Sequence, residues 1–580
     1  MTDRMLASAS MRKPMLLLTT ASLLLLALAS TTIALALPPP SDFSKFVDEY
    51  FDARYAFRPT EGTAQGFHQY DAKLPDLSRR SIDARIAELK RELARLSSYD
   101  RAKLSFDDRI DAELLESQIR GELLTLETLR PWENNPMQYA GLPGGAINGL
   151  MKRDFAPASQ RLRSAIARMK GIPNVYAAAR ENVKNPPKEF TDLAIRMSRG
   201  SVGFFERAVA AWGKDAAGAD AELARQFEEA NASVIAAAGE FATWLEKDLK
   251  TRSNGRYAIG EANFLAKLKY DDMVELTLAQ LLAKGEAQLA RDYTAFVQTA
   301  KTIDPTKTPA VVMKSLSDDH PSAEDLIPVV ARSVEEARQF VVDKGLVTIP
   351  SEVRPKVEET PPFARSGSFA SMDTPGAYES KATEAFYYVT PVEKDWDLKH
   401  REEHLRLYNR YVVAMIDVHE VWPGHYLQFL YAPRFPTKAR KLLFCGTNAE
   451  GWAHYAEQMT VDEGFGDGDP KIRLAQLQEA LLRDCRYVVG VRLHTQGMTV
   501  EDGAKIFVEK GFQEPANAYE EARRGAYNPT YLYYTLGKLQ IQELRDEYRK
   551  SKNASLRQFH DAFVAQGALP IPLVRRLLLR

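Results

Sequence analysis

Cysteine is scarce, with two residues in 580, Cys445 and Cys485. So few thiols exclude a disulfide scaffold and a cysteine-built metal cluster, and leave either one disulfide or two buried free thiols. Glycine and proline are also few, at 32 and 31 residues, which excludes collagen-like and low-complexity disordered chains. No charge of one sign prevails: 77 Lys and Arg stand against 78 Asp and Glu, for a net charge of −1. No global field therefore draws the chain to nucleic acid or to an anionic membrane, and no nucleic-acid partner is expected. After the first 37 residues no apolar run reaches membrane-spanning length, and no repeat of fixed period points to an array of modules.

What is present is an ordinary globular composition, 45% hydrophobic, 10% aromatic and 27% charged, on a chain long enough for a large core. The amino-terminal segment differs. Arg4, Arg12 and Lys13 precede the apolar run Met15–Ala29, and small-residue sites follow at Ala27-Leu28-Ala29 and Ala34-Leu35-Ala36. This is the order of a secretory signal over residues 1–36, with an uncleaved anchor as the alternative. A mature chain beginning near Leu37 is expected in the periplasm or secreted, without stable membrane association, and no cysteine lies near the cleavage region to carry a lipid.

After Pro38-Pro39-Pro40, apolar residues recur at three- and four-residue spacing over 41–56, 81–96, 107–129, 158–169, 220–249, 271–296 and 322–344, which predicts helices. Breaks are expected at 134–136, 141–145, 185–187 and 253–255, where Pro, Gly and Asn cluster. Residues 349–375 hold five prolines, and Ala385–Thr390 is a β-branched and aromatic run that reads as a short strand, placed to pair with an extended peptide. Residues 395–420 read as one long helix, charged at its start and apolar on nearly all sides by Tyr411–Ile416. The expected fold is mainly all-α, a single large helical domain over 37–580 with a very small β element, an amino-terminal lobe at 41–348 and a metal-site lobe at 376–580.

An apolar helix that ends in His419-Glu420 is a local conflict, because buried ionisable groups are costly unless paired, neutralised or metal-bound. The segment continues Val421-Trp422-Pro423-Gly424-His425, and Glu450-Gly451-Trp452-Ala453-His454 with Glu457 follows; four of the nine histidines fall between 419 and 494. A divalent metal acting on a carbonyl needs three protein ligands, an open position for water and a carboxylate beside that water. Six residues separate His419 from His425, and at ~100° per residue a regular helix would turn them ~120° apart. Two readings follow. A bulge at Pro423-Gly424 returns His425 to the side of His419, or the helix ends at Pro423 and both histidines are satisfied core groups. Glu450 can complete a two-His, one-Glu site, with His454 and Glu457 on the same helical face to orient the ligands; an ordinary amphipathic helix gives the same spacing.

The segments His419–Gln428 and Glu450–Glu457 resemble the paired signatures of the bacterial family known as domain of unknown function 885, whose members have a largely helical fold similar to thimet-oligopeptidase-like zinc metallopeptidases. The resemblance covers most of the mature chain and is strongest from Phe386 to Arg545. It implies one zinc ion held by His419, His425 and Glu450, with Glu420 as general base in a central cleft and a peptide as substrate. Arg483–His494 resembles the family's helix ending in a histidine, with Gly490 where an acidic residue is usual. His494 is thus a candidate for binding the carbonyl or oxyanion, or else a core or capping histidine. Glu521–Gly537 resembles a segment ending in Tyr-x-x-Gly, here Tyr534–Gly537, with Thr530 in place of a usual glutamine. Tyr534 is the candidate oxyanion donor, with aromatic packing as its rival. Arg486, Arg492, Arg523 and Arg524 are candidates for a substrate carboxylate. The expected function is an exported zinc hydrolase of peptide bonds, oligopeptidase or carboxypeptidase-like. The alternatives are a non-catalytic helical binding protein with a structural or degenerate zinc site, and a zinc hydrolase of another amide or an ester.

Overall fold

The computed structural model describes residues 42–361, 365, 369–393 and 396–580. The signal-like residues 1–36 lie outside the described residues; among those described, no helix is long and apolar enough to cross a membrane. Helices dominate, as the apolar spacing predicts. Several begin where a side chain accepts an otherwise unpaired first-turn N–H: Ser78 before Arg79–Ser98, Ser105 before Phe106–Leu123, Asp220 before Ala221–Lys247 and Thr277 before Leu278–Ile303. Thr277 and Gln280 cap each other reciprocally, so that last helix starts at Leu278 rather than at residue 271.

Two local expectations fail. Gly141–Gly145 does not break the chain but lies inside the helix Met137–Met151, whose Tyr139, Ala140, Ile147 and Leu150 are buried. Packing of that apolar face overrides the weak helical propensity of glycine and of Pro143. The single helix expected over 395–420 is two, Leu398–Leu407 and Arg410–Glu420. Asn409 between them is extended, and its side chain accepts the Val412 N–H at 3.1 Å, starting a new helix where the old one would have continued.

The expected lobe boundary near residue 348 does not separate two cores. Residues 139–249 bury a core largely of their own, whereas Phe43–Trp132 and Phe296–Val347 share one continuous core with the carboxy-terminal half, including Trp422, Trp452 and Phe563. The helix Arg410–Glu420 runs through this shared core, packed by Leu326–Lys344, Gly446–Asp462 and Pro470–Thr495. Both cysteines are buried and free.

The β element is a three-stranded sheet of β1 (Lys356–Glu359), β2 (Ala370–Asp373) and β3 (Phe386–Val389). The strand order is β1-β3-β2, with β1 parallel and β2 antiparallel to β3. The strand expected at 385–390 is therefore central. Its backbone is paired on both sides, so it has no free edge for a peptide, and the free edges of the sheet belong to β1 and β2. Tyr387 of β3 donates to Asp417 Oδ1 at 2.8 Å, tying the sheet to the helix that ends in His419 and Glu420.

Candidate metal centre

His419 lies in the last turn of its helix, buried, and Glu420 is its final residue. The helix stops there rather than bulging. Residues 421–424 form a tight connection, and His425 opens the next helix, His425–Tyr431. Gly424 makes this return possible: a Cβ on it would stand 1.7 Å from the His419 carbonyl oxygen, so no other residue fits. Trp452 fixes the connection from the opposite helix by donating its indole N–H to the Pro423 carbonyl at 2.8 Å. The imidazoles of His419 and His425 end 4.9 Å apart between centroids and nearly perpendicular, at 87°.

Glu450 comes from the first turns of Gly446–Asp462. That helix is seated by the buried Asp272, whose carboxylate accepts the Thr447 N–H at 3.0 Å and the Cys445 thiol at 3.2 Å. Glu450 Oε2 lies 3.5 Å from His419 Nε2 and 3.3 Å from His425 Nε2, yet it is a buried atom with no hydrogen-bond partner among the described residues. Ligand atoms of His419, His425 and Glu450 all fall within 4.8 Å of one another. Two imidazole nitrogens and an orphaned carboxylate oxygen facing one point could hold a divalent cation such as zinc, and in donor type and number the residues present fit it.

Behind this set sits Glu457, fully buried. It accepts from His419 Nδ1 at 2.6 Å, pairs with Arg483 at 3.0 Å, and lies 3.3 Å from His454 Nδ1. The first contact fixes the His419 proton on Nδ1 and leaves Nε2 for the shared point. Burial alone would raise Glu457, but the charge of Arg483 and contacts from both histidines carry it well below the usual carboxylate range. Burial likewise disfavours a charged His419, yet Glu450 and Glu457 outweigh it and lift His419 to about 9. The pocket is thus built to stabilise positive charge. His454 is the reverse case: burial and the Lys538 charge push it down to about 3, so it stays neutral. Glu420 is outside the donor set, and its Oε2 accepts the Met372 N–H of β2 at 3.2 Å.

Residues 59–578 match the family described as bacterial protein of unknown function, DUF885. The chain belongs to this family. A structure described as a putative lipoprotein of unknown function from Shewanella oneidensis is similar at 27% identity and a TM-score of 0.78, covering 93% of this chain and all of that one. A second, described as the putative lipoprotein from Colwellia psychrerythraea, shares the fold at 17% identity and a TM-score of 0.78, over 93% of this chain and 99% of the other. A comparison with curated proteins returned no match.

In this family member Tyr534 reaches the centre through a glycine contact. The helix Tyr533–Lys552 crosses Gly446–Asp462 so closely that a Cβ on Gly537 would meet the Thr447 carbonyl at 1.9 Å, and one on Gly451 would meet Gly537 Cα at 2.5 Å. This approach brings the Tyr534 ring to 6.3 Å from that of His419. Gly537→Ala is expected to force the two helices apart, costing about 1–3 kcal/mol in a urea melt and lowering metal affinity at the same time. Wild-type stability and metal content in that variant would show that the close approach does not hold the site together. Burial and the Glu450 charge both push the Tyr534 phenol upward, so it keeps its proton and remains a donor.

His494 does not join the cluster. Its Nε2 is 2.8 Å from the Gly525 carbonyl, its ring neighbours are Tyr257 and Phe264, and burial pushes it down to about 4. It is a neutral core histidine, and of the two candidate oxyanion donors only Tyr534 lies beside His419. No motif points to Arg483; it is buried with Asp484 and Arg486 in the helix Pro470–Thr495, and nothing in the local sequence sets it apart from them. Of the four candidate arginines, Arg486 pairs with Glu521 through two contacts of 2.7 and 2.8 Å, Arg492 with Glu286, and Arg523 with Glu520.

Proposed function

We propose that this protein is an exported zinc-dependent hydrolase of peptide bonds. The observation that carries the reading is the convergence of His419, His425 and Glu450 with a further carboxylate, Glu420, adjacent in sequence yet outside the donor set. Holding the ion does not require that acid. Bound zinc would supply Lewis acidity toward the scissile carbonyl and lower the pKa of a water molecule. Glu420 takes the proton from the attacking water and returns it to the leaving amine. Its Oε2 is steadied by the Met372 N–H. Glu457 holds His419 in the tautomer that offers Nε2, and Arg483 keeps Glu457 ionised. The Tyr534 phenol donates to the developing oxyanion. β2 presents its outer edge beside Glu420, and an extended substrate can pair with it. The resemblance to thimet-oligopeptidase-like enzymes and the signal-like residues 1–36 support the peptidase chemistry and the export; the relatives described as lipoproteins accord with a place in the cell envelope.

The test is release of amino acids or shorter peptides from a mixed peptide library by the purified protein, before and after chelation and after zinc is restored. Cleavage that chelation abolishes and zinc restores is expected. A zinc-loaded protein that cleaves no peptide, amide or ester would replace this reading with that of a binding protein. Tyr534→Phe should lower kcat by roughly 10²–10³-fold with KM little changed; an unaltered kcat would assign the phenol to aromatic packing.

A further inference from the structure

Beside the metal centre, the helices Pro470–Thr495 and Pro515–Tyr527 bring a cationic wall against Tyr531 and Tyr534. Arg486 lies 5.3 Å above the Tyr534 ring and 4.9 Å above that of Tyr531. Its charge is answered in full, because Glu521 meets its guanidinium through both carboxylate oxygens and Tyr531 donates to the same acid at its hydroxyl. Arg524 extends the wall, 5.1 Å from the centroid of the Tyr531 ring. It has no carboxylate within ion-pair distance among the described residues; Glu521 acts on it only from farther away and is already committed to Arg486. Its charge is felt by the phenols of both Tyr533 and Tyr534, which in turn feel Glu450. A half-buried guanidinium stacked on an aromatic ring and left without an anion is an unbalanced charge close to the reacting centre. The other three candidate arginines are all paired, so the wall carries an excess of one positive charge at Arg524.

We infer that Arg524 receives a free carboxylate of the substrate, so that the substrate class is peptides with an unblocked carboxy terminus, cut near that end. The inference rests on the peptidase reading above for its reaction, but not for its binding step. The geometry divides the labour: the metal centre and Glu420 act on the scissile amide, while Arg524 sets how far the terminus lies from it. Arg486 positions Tyr531 and Tyr534 and, being neutralised, does not compete for the anion.

The experiment uses one random pentapeptide mixture synthesised twice, with free acid and with amide termini, on zinc-loaded full-length protein. Hydrolysis is read on the parent, and binding is read by calorimetry on Glu420→Gln, which separates recognition from turnover. A charge-assisted contact predicts ~10–100-fold preference for the acid. Arg524→Gln should bring the acid-to-amide ratio to near one in both readouts, and Arg524→Lys should restore part of it, with thermal melts confirming that each variant folds. If amides are cut and bound as well as acids, or if the preference survives Arg524→Gln, the inference is overturned while the peptidase reading stands. If no peptide is cut yet the binding preference is present and vanishes in Arg524→Gln, the carboxylate site stands and the peptidase reading falls. If neither form binds, the inference is overturned.

Discussion

Glu420→Gln is expected to retain zinc and the native fold while peptide hydrolysis falls by ~10²–10⁴-fold, the range typical of losing a general base. The amide oxygen still accepts the Met372 N–H that the carboxylate accepts at 3.2 Å, so β2 has no reason to move. None of the three converging ligand atoms belongs to Glu420, so the metal has no reason to leave. The measurement pairs metal analysis with single-turnover hydrolysis of the peptide library. A variant that cleaves as fast as the parent would remove Glu420 from the chemistry and point to another site.

Metal affinity should grade with distance from the shared point. Glu457→Gln weakens only the support of His419, and a loss of ~10–100-fold is typical for such an outer partner. His419→Ala, His425→Ala and Glu450→Ala each delete a donor and should lose more than that, read by competition with a chromogenic chelator. Because Glu457→Gln also removes one of the two carboxylate charges paired with Arg483, leaving that of Glu479, a thermal melt accompanies it to separate weakened binding from weakened folding. Full occupancy in His425→Ala would mean that the Gly424 connection does not deliver a ligand and that another residue does.

The helices were legible in the sequence because apolar spacing is local, and His419-Glu420 stood out because such a pair at the end of an apolar helix conflicts with burial unless it has a partner; the residues alone left His425 and Glu450 as candidates, and the full set was what the family resemblance implied. The manner of convergence was not. Whether six residues form a bulge or a stop depends on Gly424 against the His419 carbonyl and on Trp452 bonded to Pro423, and both contacts are set by tertiary packing. The Asp272 cap on the Glu450 helix comes from 175 residues away. β1 and β2 lie in the proline-rich stretch, where four-residue strands leave little alternation to read. His494 shows the opposite limit. A motif places it in line with the site, but its ring turns to Gly525 and Phe264 because α-helical packing, not sequence order, decides which face meets the histidine–glutamate cluster.

The most direct measurement is anomalous diffraction at the zinc edge from crystals of the purified protein. A single strong peak is expected within bonding distance of His419 Nε2, His425 Nε2 and a Glu450 carboxylate oxygen, absent below the edge. Crystals grown with zinc that show no peak at these three residues, or a peak held by other side chains, would contradict this assignment.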